Sequence, residues 1–248
     1  IIQEILVVYE DHKDQAPFDL KRFSDFSQMR ERVAMKLIHT KSNETLLKEI
    51  PSIPFHDLSI VFYLFLDKDE HGQMTVLIRN DHLPIWNTDT SELYKLAIDN
   101  TPRLYPPCIR SMASLINDML FVNGTLIQPS FAAASPNALD LTDSPIPLSI
   151  LTNTSGIFGA SAMLYPGVLK EFSKKIGHDL IILPSSVHEV LLLPYDSTYS
   201  FQEMADMVKD VNEKCVPVEE QLSNQVYYYS STQDSIFLGG DPASRILS

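Results

Sequence analysis

The residues with the greatest chemical capacity lie in one short stretch, Leu183 to Pro194, LPSSVHEVLLLP. It sets Ser185, Ser186, His188 and Glu189 between two apolar runs. A serine, a histidine and a carboxylate can form a nucleophile, base and orienting group if the fold lets them converge. Pro184 suits the second position of a type I turn, and the serines can bond local backbone. With a return strand from about Val187, His188 shares a face with Val190 and Leu192. Glu189 then points the other way, with Leu191 and Leu193. Strand neighbours do not meet at one proton unless a bulge re-aims one of them. Ser186 and His188 can share a face with Cα atoms about 6–7 Å apart. No G-x-S-x-G elbow accompanies them. The stretch reads first as a polar turn between strands. Ser186 and His188 stand as the candidate catalytic pair of the second reading, and Ser185 and Glu189 as candidate binding residues.

Elsewhere the chemistry is thinner. The seven histidines form no H-E-x-x-H pattern, and Cys108 and Cys215 have no partner at ligand spacing. No metal or cofactor is expected. Cys108 stands near Arg110, which would lower the pKa of an exposed thiol; an incidental buried cysteine is the plainer reading. The stretch DNTPRLYPP places Asn100 and Arg103 at a helix end. Arg103 can clamp an anion with two donors, or bond the carbonyls that close its helix, and the second role is favoured. His82, in NDHLPIW, is a further binding candidate. DKDEHG opens like a calcium loop, with Gly72 at the sixth position, but Ile78 stands where a bidentate glutamate is required, so a hairpin turn is expected.

The totals bound the partners. The chain has 248 residues, 44% hydrophobic and 21% charged, enough for one large or two small folded units. Its formal net charge is −13. That argues against a nucleic-acid backbone and against an anionic membrane surface as partner. Two unpaired cysteines fit a reduced, cytoplasmic setting. The opening IIQEILVVYEDHKD lacks an initiator methionine and the marks of a signal peptide, and is expected to be helix at the start of a fragment.

These residues need elements to position them. Residues 1–13 are expected as helix, and FSDFSQMRERVAMKLIHT as a short helix leading into a strand. SNETLLKEI is a short helix stopped by Pro51. LSIVFYLFL is a buried strand, paired through DKDEHG with QMTVLIRN. Helices are expected at NDHLPIW, at TSELYKLAIDN ending before Pro102, and at CIRSMASLINDML with Met112, Leu115 and Met119 in phase. LSILTN is a strand, and FGASAML a strand or a tight helix. YPGVLKEFSKKIG is a helix with Pro166 near its start and Gly177 at its end. DLIIL and HEVLLL are strands. SFQEMADMVKDVNEKC is a helix capped by Ser200 and Glu203, with Met204, Met207, Val208 and Val211 inward. VYYYSSTQDSIFL is a hairpin. Neighbouring strands joined by turns, without βαβ alternation or a glycine-rich phosphate loop, predict α+β with mainly antiparallel hairpins. Two small halves are expected, residues 1–125 and 148–248, joined by a Pro/Ala/Ser-rich connection over 126–147.

Four blocks in this order, NDHLPIW, ELYKLAIDNTPRLYP, LTNTSGIFGASAMLYPGVLKEF and LPSSVHEVLLLP, resemble a bacterial domain-of-unknown-function family, number 5688, of gut anaerobes. The resemblance runs from about Phe55 to Tyr229. It implies further residues before the start of this chain and a shorter connection than Gln128 to Pro147. It carries over no activity, cofactor or catalytic residue. Two functions therefore stand side by side. The first is a non-catalytic cytoplasmic protein that binds a protein or small-molecule partner. The second is a hydrolase or transferase using Ser186 and His188, with Arg103 as anion clamp.

Overall fold

The computed structural model describes residues 25–69, 72–112, 114, 148–184 and 186–240. The helix expected over 1–13, the connection over 126–147 and Ser185 lie outside the described residues. The architecture is mixed α+β, with every strand pair antiparallel and the strands in two sheets of four and six.

The first sheet grows from an amphipathic start. A short helix α1 (Phe26–Met29), capped by the Asp25 side chain, passes through one tight turn into β1 (Val33–His39). After α2 (Glu44–Leu47) come β2 (Ser52–Phe55), β3 (Leu58–Asp69) and β4 (Gly72–Leu77). Strand β3 pairs with β1 along one side and with β2 and then β4 along the other. Its continuous apolar run is explained by this central place, covered on both faces. A bulge at Leu66 shifts the register with β4, and the Arg32 guanidinium donates to the carbonyls of Phe65 and Leu66 there.

Helices α3 (His82–Trp86) and α4 (Thr90–Leu104) follow. Helix α4 seats β1: the Met35 N–H, on the strand's outer edge, donates to Thr101 Oγ1 at 3.1 Å. The helix runs on through Pro102 instead of ending before it. In the last turn a proline forfeits only one intrahelical bond. Tyr105 N–H still reaches the Thr101 carbonyl at 2.8 Å.

The second sheet contains β5 (Pro107–Ser111), β6 (Ser149–Asn153), β7 (Leu180–Leu183), β8 (Val190–Pro194), β9 (Tyr227–Ser230) and β10 (Ser235–Leu238), in the spatial order β10-β9-β7-β8-β6-β5. Residues Cys108–Ser111 were expected in a helix and are strand instead. They pair with Ser149–Thr152, and that long-range ladder overrides the local helical spacing. Residues Gly159–Leu164 form a 3-10 helix, so the tight-helix alternative holds for FGASAML. Helix α5 (Val168–Ile176) ends at Gly177 with φ 76°, a left-handed cap. Helix α6 (Phe201–Cys215) carries the expected Ser200 cap, accepting from Glu203 N–H at 3.3 Å. Its inward face differs from the expectation. Met207 and Val211 are 52% and 45% exposed, while Val208 and Asn212 face inward. A polar residue at the core position defeats a hydrophobicity count; Asn212 Nδ2 donates to Ser223 O at 3.0 Å and Asn224 Oδ1 at 2.9 Å.

The sheets share one apolar cluster. Met35, Leu37, Phe62 and Leu64 of the first sheet join Leu93 and Ala97 of α4 and Leu151, Leu180, Ile182, Leu192 and Tyr227 of the second. A polar clasp closes the same interface. Asp57, in the β2–β3 turn, accepts from Tyr227 Oη at 2.5 Å and Ser223 Oγ at 2.6 Å. Among the described residues no helix is long and apolar enough to cross a membrane.

Candidate functional site

The β7–β8 hairpin forms as the sequence predicts, with Leu183 opposite Leu191, but the return strand begins at Val190 and not near Val187. His188 and Glu189 therefore sit in the loop, and strand alternation does not govern them. The loop bonds itself. Ser186 Oγ donates to Glu189 Oε1 at 2.9 Å and accepts from His188 N–H at 3.0 Å. His188 turns its ring away from that hydroxyl. Its Nδ1 accepts from the backbone N–H of Phe158 at 3.2 Å, which leaves the proton of the neutral ring on Nε2. Nε2 stands 3.7 Å from Glu220 Oε1. The Ser186 hydroxyl is thus committed to Glu189, and its contact with His188 is through the backbone.

The other candidates stand apart from this loop. Asn100 Nδ2 donates to the carbonyls of Arg30 and Val33 at 2.7 and 3.1 Å. Arg103 donates to the Glu31 carbonyl at 3.0 Å and to Asn100 Oδ1 at 3.2 Å. The pair fastens α4 to the chain entering β1; the carbonyls it bonds belong to that segment and not to the end of its own helix. His82 is buried, with Nδ1 accepting from Arg79 N–H at 3.2 Å and its ring 5.1 Å from Trp86. Burial lowers its pKa, and the Asp81 carboxylate opposes the shift. Among the described residues no group of three or more His, Cys, Asp or Glu side chains could hold a metal ion.

His188 leads instead to residues that the reading of motifs passed over. On β1 the residues Val33, Met35 and Leu37 face the shared core, so Ala34, Lys36 and Ile38 face the other way. Lys36 lies directly opposite Val61, and Tyr63 is its diagonal neighbour. The Lys36 ammonium sits 4.0 Å from the centroid of the Phe158 ring. Phe158 in turn stacks on His188, centroids 6.0 Å apart and planes 10° from parallel, and meets Tyr63 edge-on at 5.5 Å. Tyr105 flanks Tyr63 at 6.4 Å. The row Lys36–Phe158–His188–Glu220 joins both sheets. Around it stand the phenols of Tyr63, Tyr105 and Tyr165.

The local backbone is built for this meeting. Asn153, at the end of β6, accepts from Ser155 N–H and Oγ at 3.0 and 2.8 Å and donates to Ile157 O at 2.9 Å. That closes a tight turn, and Phe158 leaves it at φ 54°, an uncommon left-handed conformation for an aromatic residue. Gly159 comes next. A Cβ on it would lie 2.2 Å from Thr152 Oγ1 and 2.5 Å from His188 O. Only glycine permits the two loops to close, with Thr152 Oγ1 donating to His188 O at 2.8 Å.

The electrostatics single out one group. Of the lysines whose side chains are described, Lys36 alone is not exposed. Burial lowers its pKa below the ordinary lysine value, and no carboxylate among the described residues is paired with it. In a chain where acidic residues outnumber basic ones 32 to 19, that isolation is informative. Burial also raises the phenols: Tyr63 well above its ordinary value with the Tyr105 phenol adding to it, Tyr105 upward, and Tyr165 to about 12. All three stay protonated donors at neutral pH. The sequence signal for this cluster was the lysine in VAMKLIH, a charge inside an otherwise apolar strand.

Comparison with known proteins gives one match. A family model described as a family of unknown function, DUF5688, matches residues 1–231. No curated protein and no solved structure matches the chain.

Proposed function

Because the chain belongs to the DUF5688 family, whose function is unknown, we propose a role from its own geometry: a non-catalytic binding module that takes a small organic carboxylate at Lys36. One observation carries the reading. A half-buried ammonium, paired with no carboxylate among the described residues, lies 4.0 Å from the centroid of an aromatic ring. An uncompensated buried charge is costly, and such cost is retained where a ligand supplies the counter-charge. The carboxylate meets Lys36, and the apolar body of the ligand rests beside Phe158. A cytoplasmic setting suits Cys108 and Cys215, both free thiols.

Calorimetric titration with benzoate, phenylacetate and succinate tests the proposal. Binding that weakens at least tenfold in Lys36→Met and in Phe158→Ala supports it. Equal binding by wild type and Lys36→Met, or no binding of any carboxylate, removes it. The alternative of a hydrolase or transferase using Ser186 and His188 with Arg103 is less supported, because Ser186 bonds Glu189, His188 bonds Phe158 and Arg103 bonds Glu31. Turnover on a panel of ester and amide substrates that is lost in His188→Ala would reinstate it.

A further inference from the structure

We propose that the outer edge of β5, with the groove between it and helix α5, docks an extended peptide segment that alternates apolar residues and carries an acidic one. The site is separate from Lys36 and does not rest on the carboxylate reading.

The edge calls for a backbone. Strand β5 ends the six-stranded sheet and, among the described residues, pairs with β6 alone. The ladder fixes which groups turn inward. Thr154 N–H donates to Pro106 O and Met112 N–H donates to Leu148 O, both at 2.9 Å. Bonding alternates along an antiparallel strand, so Cys108 and Arg110 bond β6, while the N–H and C=O of Ile109 and the C=O of Pro107 point outward. Pro107 thus lacks its N–H on the outer side, where a proline costs the sheet no bond. A strand laid antiparallel on this edge gains both bonds of Ile109 and donates a third to Pro107 O.

The groove calls for apolar side chains. A cavity of about 550 Å³, open to solvent, lies between β5 and α5, lined by Pro107, Ile109, Val168, Glu171, Phe172 and Lys175. The four helical residues are spaced i, i+3, i+4 and i+7, one face of α5 and about 10 Å of its length. That matches about three residues of extended chain. Directly opposed strand residues share a face. The peptide residue opposite Ile109 therefore turns toward Val168 and Phe172, and the residues two places away follow it. Gly167 also lines the groove, and an added Cβ there would meet nothing within 4 Å, so this side is unobstructed.

Charge chooses among peptides. Lys170, Lys209 and Lys214 face Asp234, Glu213 and Asp210. Lys175 is exposed and faces no carboxylate among the described residues. Glu171, one turn earlier on the same face, repels a second acid. Together they set the register: an acidic side chain beside Lys175 and a neutral one beside Glu171.

Peptide titration with amide hydrogen exchange tests the proposal on the full chain. The probe is the acetylated, amidated peptide GTVTVTETG, in which both valines and the glutamate share a face. It should bind saturably and slow exchange of the Ile109 amide at least tenfold. N-methylation at both valines, or serine in their place, should abolish binding. Lysine for glutamate should weaken it at least fivefold, and Lys175→Glu, an exposed change, should reverse that preference. The proposal is overturned if neither this peptide nor its leucine and phenylalanine forms bind, if binding leaves Ile109 exchange unchanged, or if N-methylation or charge exchange has no effect. If Ile109 is protected without peptide, increasingly with protein concentration, a second copy occupies the edge and the peptide reading falls.

Discussion

Replacing Gly159 by alanine tests whether the two loops of the site are held by close backbone approach. The added Cβ would stand 2.2 Å from Thr152 Oγ1, 2.5 Å from His188 O and 2.8 Å from Asn153 N. Two of these are backbone atoms, one at the end of β6 and one in the β7–β8 loop, so no side-chain rotation relieves them. Overpacking at such a site costs about 1–3 kcal/mol. The Thr152–His188 bond, at 2.8 Å, is lost as the loops part, for about another 1 kcal/mol. The sum is roughly 2–4 kcal/mol, a fall in Tm of about 5–15 °C for a domain of this size. Urea unfolding followed by far-ultraviolet circular dichroism reads it directly. Thr152→Ala removes the nearest atom, and in the double variant the costs should fall short of their sum by at least about 0.5 kcal/mol. A Gly159→Ala protein within about 0.5 kcal/mol of wild type, or a strictly additive pair, would refute the reasoning.

Further outcomes follow from named contacts. The charged form of Lys36 is penalised in the folded state, so its cost is fully present below its lowered folded pKa. Stability should therefore rise toward that of Lys36→Met as pH climbs through the window up to the ordinary lysine value of 10.5, read by urea midpoints across pH. Tyr165 behaves in the opposite sense: its folded pKa is raised from 10.0 to about 12, so stability is lost as pH rises through that interval. Tyr165→Phe should remove one late phenolate from a spectroscopic titration. Asp57→Ala strands the Tyr227 and Ser223 hydroxyls and should cost about 2–4 kcal/mol by denaturant melts, whereas Tyr227→Phe should cost only about 1 kcal/mol. Ser200→Ala removes the cap of α6 for about 1 kcal/mol, measurable as a lowered Tm.

Much of the architecture was legible because short-range rules operate there. The hairpins β3–β4, β7–β8 and β9–β10, and the helices α5 and α6, lie where periodicity, caps and turn residues put them. The failures have long-range causes. Cys108–Ser111 is drawn into a strand by β6, and α4 passes Pro102 while Asn100, Thr101 and Arg103 are anchored outside the helix. The phase of α6 turns on the buried Asn212, which a hydrophobicity pattern scores as surface. The candidate site was legible only in part. His188 was singled out, but its partners Phe158 and Lys36 lie 30 and 152 residues away along the chain, in blocks that no local spacing relates to it. Lys36 was not singled out; its only local signal is a charge within the apolar alternation of β1, and nothing nearby in the chain shows that Phe158 would come to cover it.

The clasp at Asp57 also sets the order in which the molecule can be completed during synthesis. Its hydroxyl donors lie 166 and 170 residues downstream, at Ser223 and Tyr227. A ribosome adding about 5–20 residues per second makes Asp57 wait roughly 8–34 s for Tyr227. The first sheet can pair locally in that time, because β1 to β4 are contiguous in the chain. Its face toward the second sheet is covered in stages, by α4 and then by β6 to β8, and is closed only when β9 arrives. Until then the growing chain carries part of the apolar surface formed by Met35, Leu37, Phe62 and Leu64 incompletely covered. Nascent-chain binding by a chaperone should be strongest on intermediates stalled before residue 223 and should drop once Tyr229 has emerged.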